Sequence, residues 1–361
     1  MLSVPAGIAG AFATPAAGVA SAALPEPMRR GFNLPDQAPL RAGRVPQKET
    51  LQALRKLGMS HVRLPVSGEY VLPAFSGPAT ISATLDDLSR VVDMLLAMGY
   101  AVTVDMHPGS DMAARIARDP GDAQRTLADG WRLLAKHLLR WPSEFVYAEL
   151  LNEPPMPDAV WRPMARALIE EVRGAAPETY VIVGPAPYQG LDALLAWEPF
   201  AAARIVYACH YYSPMVFTHQ GAEWEKGAPW ARAAGVPFPT VRNDPVLKKL
   251  AQRARGDGDE PLAHELEQMA RQDCNADSIH AEFARLAAWS ARGNVPVIIN
   301  EFGALKQKMK AEHRLAWLLA IRRAAASHGF GWAHWDYASD FGLLDRSGAF
   351  DQGVIRALLA P

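Results

Sequence analysis

Cysteine is nearly absent from this chain: Cys209 and Cys274 are the only two among 361 residues. Two thiols build neither a disulfide framework nor a cysteine metal site, and one bridge or two free thiols both remain open. An excess of charge is missing as well. With 37 Lys and Arg against 38 Asp and Glu, the formal net charge is −1. Nucleic acid and anionic membrane surfaces need a concentrated basic face, so neither is expected as a partner. No stretch has the weight of large apolar side chains that a membrane span requires. Residues 2–23 come nearest, being uncharged and dominated by Ala, Gly and Val, but Pro5 and Pro15 interrupt them. With small residues at Ala22 and Ala23 before "LPEP", residues 1–23 read as a signal peptide of a secreted or periplasmic protein. The basic start of such a peptide is lacking, which keeps a low-complexity leader as the alternative.

What is present is ordinary globular material, half of it hydrophobic. From residue 28 to 361 it reads as one large domain. Short β-rich runs recur at "GFNL" (31–34), "HVRLPV" (61–66), "AVTVDMHP" (101–108) and "FVYAELLNEP" (145–154). Four more follow at "TYVIVGPAP" (179–187), "RIVYACHYY" (204–212), "VPVIINEFG" (295–303) and "FGWAHWDYA" (330–338). Each reads as a continuous run, as expected of strands buried on both faces. Between them lie amphipathic stretches such as "TLDDLSRVVDMLLAMG" and "DAVWRPMARALIEEVRGA", with apolar residues every three or four positions. Alternation of eight strands with helices predicts an α/β fold, a (β/α)8 TIM barrel. A doubly wound open sheet is the structural rival, but no glycine fingerprint follows its first strand. The connection after strand six is far too long for such a barrel, an insertion at about residues 214–275. It lies on the face where barrels keep active sites, which predicts a substrate-binding wall or lid carrying Trp224 and Trp230.

The strand ends carry polar chemistry where a purely structural barrel would carry Val, Ile and Ala. They are Arg63 on strand two, His107 on three, Asn152 and Glu153 on four, His210 and Tyr212 on six, Glu301 on seven and Trp335 on eight. Taken singly, each has an ordinary role: a surface cation, a satisfied core histidine, a packing aromatic or a helix-capping acid. Their convergence on one rim points to function. Two carboxylates facing each other across a barrel mouth suit glycoside hydrolysis, where one group protonates the leaving oxygen and the other attacks or activates water. Glu153 is then the expected acid, its proton held by burial and by the Glu301 charge. Glu301 is expected to stay ionised, held by Arg63 and by a hydroxyl such as that of Tyr212. Asn152 is placed to bond a sugar hydroxyl, and Trp335 offers a flat face to a pyranose ring.

This pattern resembles glycoside hydrolase family five, cellulase-like members of the clan of retaining (β/α)8 glycosidases, over essentially residues 28–361. "LNEP" and "NEFG" look like that family's acid/base and nucleophile motifs. Arg63 in "VRLPV", His107 in "DMHP", His210 and Tyr212 in "CHYYSP" and Trp335 in "AHWDY" fit its supporting positions. The resemblance implies double displacement on a polysaccharide or oligosaccharide, with Glu301 as nucleophile and Glu153 as acid/base. A β-1,4-glucan is the first expectation, with a β-mannan or a bacterial exopolysaccharide as alternatives, since the long insertion departs from the family pattern. No cofactor and no metal are expected. His61, His107 and His210 stand singly, without the paired histidines of a metallohydrolase. No strand end offers a lysine for Schiff-base chemistry. A barrel that binds polysaccharide without cleaving it is the non-enzymatic alternative, and such a barrel normally lacks one carboxylate. The oligomeric state is not legible.

Overall fold

The computed structural model describes residues 23–40 and 45–360. The expected leader, residues 1–23, lies outside them except for Ala23. The eight strands are β1 Arg30–Asn33, β2 His61–Ser67, β3 Ala101–His107, β4 Val146–Glu149, β5 Val181–Val183, β6 Ile205–Tyr211, β7 Val297–Phe302 and β8 Gly331–His334. They form a closed barrel in sequence order, all pairs parallel, with β1 against β8 completing the ring. The expected (β/α)8 barrel is the fold. Among the described residues, no helix is long and apolar enough to cross a membrane.

Both faces of the strands are buried, as the continuous runs implied, but the two faces differ in chemistry. Side chains alternate across a strand. On β2 and β3, Val62, Leu64, Val66, Val102, Val104 and Met106 belong to the large apolar core that also takes in the helices. That core receives Leu88, Val91, Val92 and Leu95 from the helix Pro78–Ala97, and Leu127, Trp131 and Leu134 from Pro120–Leu138. The intervening residues His61, Arg63, Thr103 and Asp105 are fully buried polar groups in the barrel interior. A small apolar layer of Ala101, Tyr147, Ile182, Val206 and Ile298 fills the bottom of the barrel, with Leu24 and Met28 packed against it. A Cβ on Gly331 would lie 2.5 Å from the Met28 carbonyl oxygen, so glycine permits that close approach.

Local signals set the helix starts. Asp119 caps Pro120–Leu138 by accepting from the Asp122 amide, with proline at the first helical position. Asn275 and Ser278 form a reciprocal capping box that starts Ala276–Gly293. After β6 the chain builds the short helix Met215–Thr218, two 3-10 turns and the paired helices Pro245–Gly256 and Glu260–Met269. Mutual backbone bonds between Thr240 and Cys274, 2.8 and 2.9 Å, tie the base of that helix pair. Cys209 and Cys274 are both buried free thiols.

Candidate active site

An open cleft of about 1810 Å³ lies over the C-terminal ends of the strands. His107, Asn152, Glu153, His210, Tyr212, Glu301 and Trp335 all line it. Arg63 does not. It is the third of seven residues in β2, fully buried, one layer beneath the rim. The expectation that it stands at a strand end is therefore corrected: the alternation of β2 turns it into the barrel interior, from which it reaches upward.

Arg63 makes a dense set of bonds. Its Nη1 donates to Glu301 Oε1 at 2.5 Å and to Asn33 Oδ1 at 3.0 Å. Nε and Nη2 grip Glu149 Oε2 and Oε1 at 2.6 and 2.9 Å, while Nη2 also donates to Asn152 Oδ1 at 2.8 Å. Asp105 Oδ2 lies 3.1 Å away. A buried guanidinium is tolerable only when its donors are met in this way. Arg63 thus engages the side-chain oxygen of Asn152, a residue that also lines the cleft.

Glu301 sits inside β7, almost fully buried. Register irregularities fall at Cys209/His210 against β7 and between Ile299 and Phe302 against β8. Such irregularities re-aim side chains, and here they bring Glu301 opposite His210. Tyr212 donates to Glu301 Oε2 at 3.0 Å, so both carboxylate oxygens are engaged. Burial raises Glu301 above the usual carboxylate range, against the opposing charges of His210 and Arg63.

Glu153 is held differently. It lies four residues beyond the end of β4, with φ +41°, a left-handed conformation rare for a residue with a side chain. Its amide donates to the side-chain oxygen of buried Gln189 at 3.0 Å, and Pro154 and Pro155 restrict the backbone that follows. His210 Nδ1 lies 2.8 Å from Oε1. Desolvation at the cleft floor pushes Glu153 up to about 7, opposed by the charges of His107 and Arg63. The Glu301 charge, expected to raise Glu153, is not what sets this shift: burial comes first. Burial pushes His210 down to about 4, so its ring is neutral near pH 7. His107 is raised: burial opposes its charge, but a 2.8 Å contact from Nδ1 to Asp105 outweighs that. Trp335 stacks on His107 with centroids 6.2 Å apart.

The insertion supplies one wall. Trp224 and Trp230 both line the cleft. Trp224 is 60% exposed, a large apolar side chain left facing water, with its ring 6.0 Å from Phe341. Sequence reasoning missed the second tier altogether: Asp105, Glu149, Asn300, Asn33 and Gln189. The period-two pattern of "AVTVDMH" and "VYAE" places Asp105 and Glu149 on the same face as His107 and Tyr147, a signal that was available.

Donor atoms of Glu153, His210 and Glu301 lie within 4.8 Å of one another, close enough in distance to hold a metal ion. Their bonding does not fit that use. Arg63 and Tyr212 already take both oxygens of Glu301, and His210 Nδ1 faces Glu153 rather than an open centre.

A family model described as cellulase (glycosyl hydrolase family 5) matches residues 28–340. Endoglucanase 3 of Fibrobacter succinogenes is 29% identical over 320 residues, covering 83% of this chain and 47% of that protein. Endoglucanase C of Acetivibrio thermocellus is 26% identical over 191 residues, 50% of this chain and 54% of its own. The chain thus spans about half the length of these curated relatives. Among solved structures, Thermotoga maritima Cel5A in complex with mannotriose superposes with a TM-score of 0.73 at 22% identity, over 92% of this chain and 97% of the other. A mutant form of the same protein with cellobiose gives 0.74 at 22%, over 93% and 97%. At that identity the likeness concerns the fold.

Proposed function

This chain belongs to the cellulase family, glycosyl hydrolase family 5, and from that premise we propose that it is a secreted, retaining endo-β-glycosidase acting on a β-1,4-glucan. The observation that carries the chemistry is the spacing of two unequal carboxylates. One oxygen of Glu153 lies within 4.8 Å of one oxygen of Glu301. Retaining enzymes hold their pair about 5–5.5 Å apart, whereas inverting ones leave about 6.5–9.5 Å for a water between.

In this reading Glu301, fixed by Arg63 and Tyr212, attacks the anomeric carbon, and Glu153 gives its proton to the departing glycosidic oxygen. The glycosyl bond to Glu301 is then hydrolysed by a water that Glu153, now ionised, deprotonates. A group held up to about 7 serves both steps near neutral pH. Asn152 bonds the hydroxyl next to the reacting carbon, and Trp335 carries the ring. Both carboxylates stand in place, which argues against a barrel that only binds polysaccharide. Secretion rests on the composition of residues 2–23.

A β-mannan is a second reading, favoured by the Thermotoga maritima Cel5A structures, which hold mannotriose in one case and cellobiose in another. NMR of the first product tests the mechanism: the anomeric configuration of the substrate is expected, and an inverted initial product overturns it. A product profile on soluble β-glucans and mannans tests the substrate, and mannan cleavage faster than glucan cleavage would favour the second reading.

A further inference from the structure

Beneath the rim, one guanidinium meets three carboxylates at once: Glu149, Asp105 and Glu301. His107 Nδ1 lies 2.8 Å from Asp105 Oδ2, a contact that favours the charged ring. Three carboxylates thus share one guanidinium before Glu153 is counted. Of the three, Glu149 takes its bidentate grip. Its side chain is fully buried, and every group that touches it is a donor: Arg63 through Nε and Nη2, Asn300 Nδ2 at 2.8 Å and Gln189 Nε2 at 3.3 Å. Both oxygens are engaged by donors, and among the described residues no acceptor stands beside either.

We propose that Glu149 is a positioning and charge-setting residue: it locks the Arg63 guanidinium with two bonds and withholds part of its positive charge from the two rim glutamates. The charged and titratable groups facing this cluster are His61 and Arg63 on β2, Asp105 and His107 on β3, Glu153 after β4, His210 and Tyr212 at β6, and Glu301 on β7. The two bonds to Glu149 fix the guanidinium plane, and that plane aims Nη1 at Glu301. The charge of Glu149 also disfavours ionisation of Glu301 and Glu153, adding to the effect of burial and keeping both protonated to higher pH. Glu149 touches no reacting atom. It acts through Arg63 and through its field, and the inference rests on the assignment of Glu301 as nucleophile and Glu153 as acid.

The test is the pH dependence of kcat/KM in Glu149→Gln and Glu149→Asp, on a soluble β-glucan. Glutamine removes the charge and turns an amide N–H2 toward donors, so that variant is expected to be less stable and slower. Its distinguishing mark is that both limbs of the pH profile move to lower pH, on the order of one unit for a unit charge at this range. Aspartate keeps the charge but retracts it from Arg63, so kcat falls while both midpoints stay where they were. Wild-type midpoints in Glu149→Gln, limbs moved to higher pH, or a Glu149→Asp profile displaced as far as that of Glu149→Gln would each overturn the proposal. If circular dichroism shows Glu149→Gln unfolded, Glu149→Asp decides: a lowered kcat at unmoved midpoints supports the inference, and a wild-type kcat refutes it. A wild-type protein that cleaves no β-glycan sinks the functional reading instead. In that event a 13C titration of the Glu153 carboxyl, which needs no substrate, still tests the charge effect in Glu149→Gln.

Discussion

Glu301 and Glu153 face each other across one cleft, yet the chain holds them in opposite ways. Glu301 is part of a strand, almost fully buried, with one oxygen on Arg63 and the other on Tyr212. Glu153 stands on a left-handed residue beyond its strand, its side chain a third exposed, with one bond to a histidine that is neutral near pH 7. Donors fixed on both oxygens suit a group that stays ionised and must not move. A carboxyl with one free side and a raised affinity for its proton suits a group that gives the proton up and takes one back. In the proposed mechanism, the asymmetry of the surroundings sorts two chemically identical side chains into two roles.

The largest expected effect is removal of the clamped partner. Glu301→Gln leaves no nucleophile, and hydrolysis of every substrate should fall by about 10⁴- to 10⁶-fold, the scale seen when an attacking group is removed. Initial rates on a polysaccharide and on an aryl glycoside, measured side by side, check this. A variant that keeps a few per cent of its activity on either would mean that Glu301 is not the attacking group.

Glu153→Gln should break the comparison more selectively. Without the acid, polysaccharide cleavage falls by orders of magnitude, but a glycoside of an acidic phenol leaves without a proton and the first step stays fast. The second step then lacks its base, so a burst of phenol and a covalent adduct on Glu301 are expected. Azide, which needs no base, should speed turnover and give a glycosyl azide of retained configuration. Azide rescue of Glu301→Gln instead, or an adduct mapped to Glu153, would reverse the two roles.

How far this asymmetry was legible in the sequence depends on the layer. The barrel was readable because the residues facing the helices, such as Val62, Leu64, Val102 and Val104, are uniformly apolar and the intervening helices keep a clear period. The rim was readable because polar residues interrupt apolar runs at "LNEP", "CHYY" and "NEFG". The layer between was legible only in part. Arg63 in "VRLPV" reads as the holder of Glu301, and the alternation of β3 and β4 marks Asp105 and Glu149, but what these three hold among themselves emerges only once the ring closes and they meet. The register irregularities beside His210 and Glu301 also left no mark, since they depend on the neighbouring strand rather than on local composition. The helix Pro245–Gly256 within the insertion went unread because the region was judged by its aromatics and prolines.

The pH profile sharpens the comparison at smaller scale. In the proposed mechanism Glu153 holds its proton for the first step, and burial keeps it up to about 7. Above that pH the acid is lost, so kcat/KM should fall about tenfold per unit on the alkaline side, with a midpoint near 7. The same mechanism needs Glu301 ionised, and its raised affinity for a proton is expected to place the acid limb above the ordinary carboxylate range. The two limbs belong to a coupled pair, so the separate titration of each glutamate is best read in the variant lacking the other. An alkaline limb that persists unchanged in Glu153→Gln would assign it to another group.

The smallest expected effect lies farthest from the pair, on the insertion wall. Trp224 keeps most of its surface in water beside Phe341, on the wall of the cleft. Sugar rings present C–H faces that suit such a platform. Trp224 has no bond to either glutamate, so its contact with a chain should be equal in the bound and transition states. Loss of such uniform binding raises KM and leaves kcat alone. Trp224→Ala should therefore raise KM by about tenfold on long oligosaccharides, the scale of one lost stacking contact of about 1.4 kcal/mol. Substrates too short to reach the insertion should be handled as by the parent protein. Kinetics on a graded series of oligomer lengths separates the outcomes. If KM rises equally at every length, Trp224 supports the cleft only by packing, and if nothing changes, the insertion serves something other than this substrate.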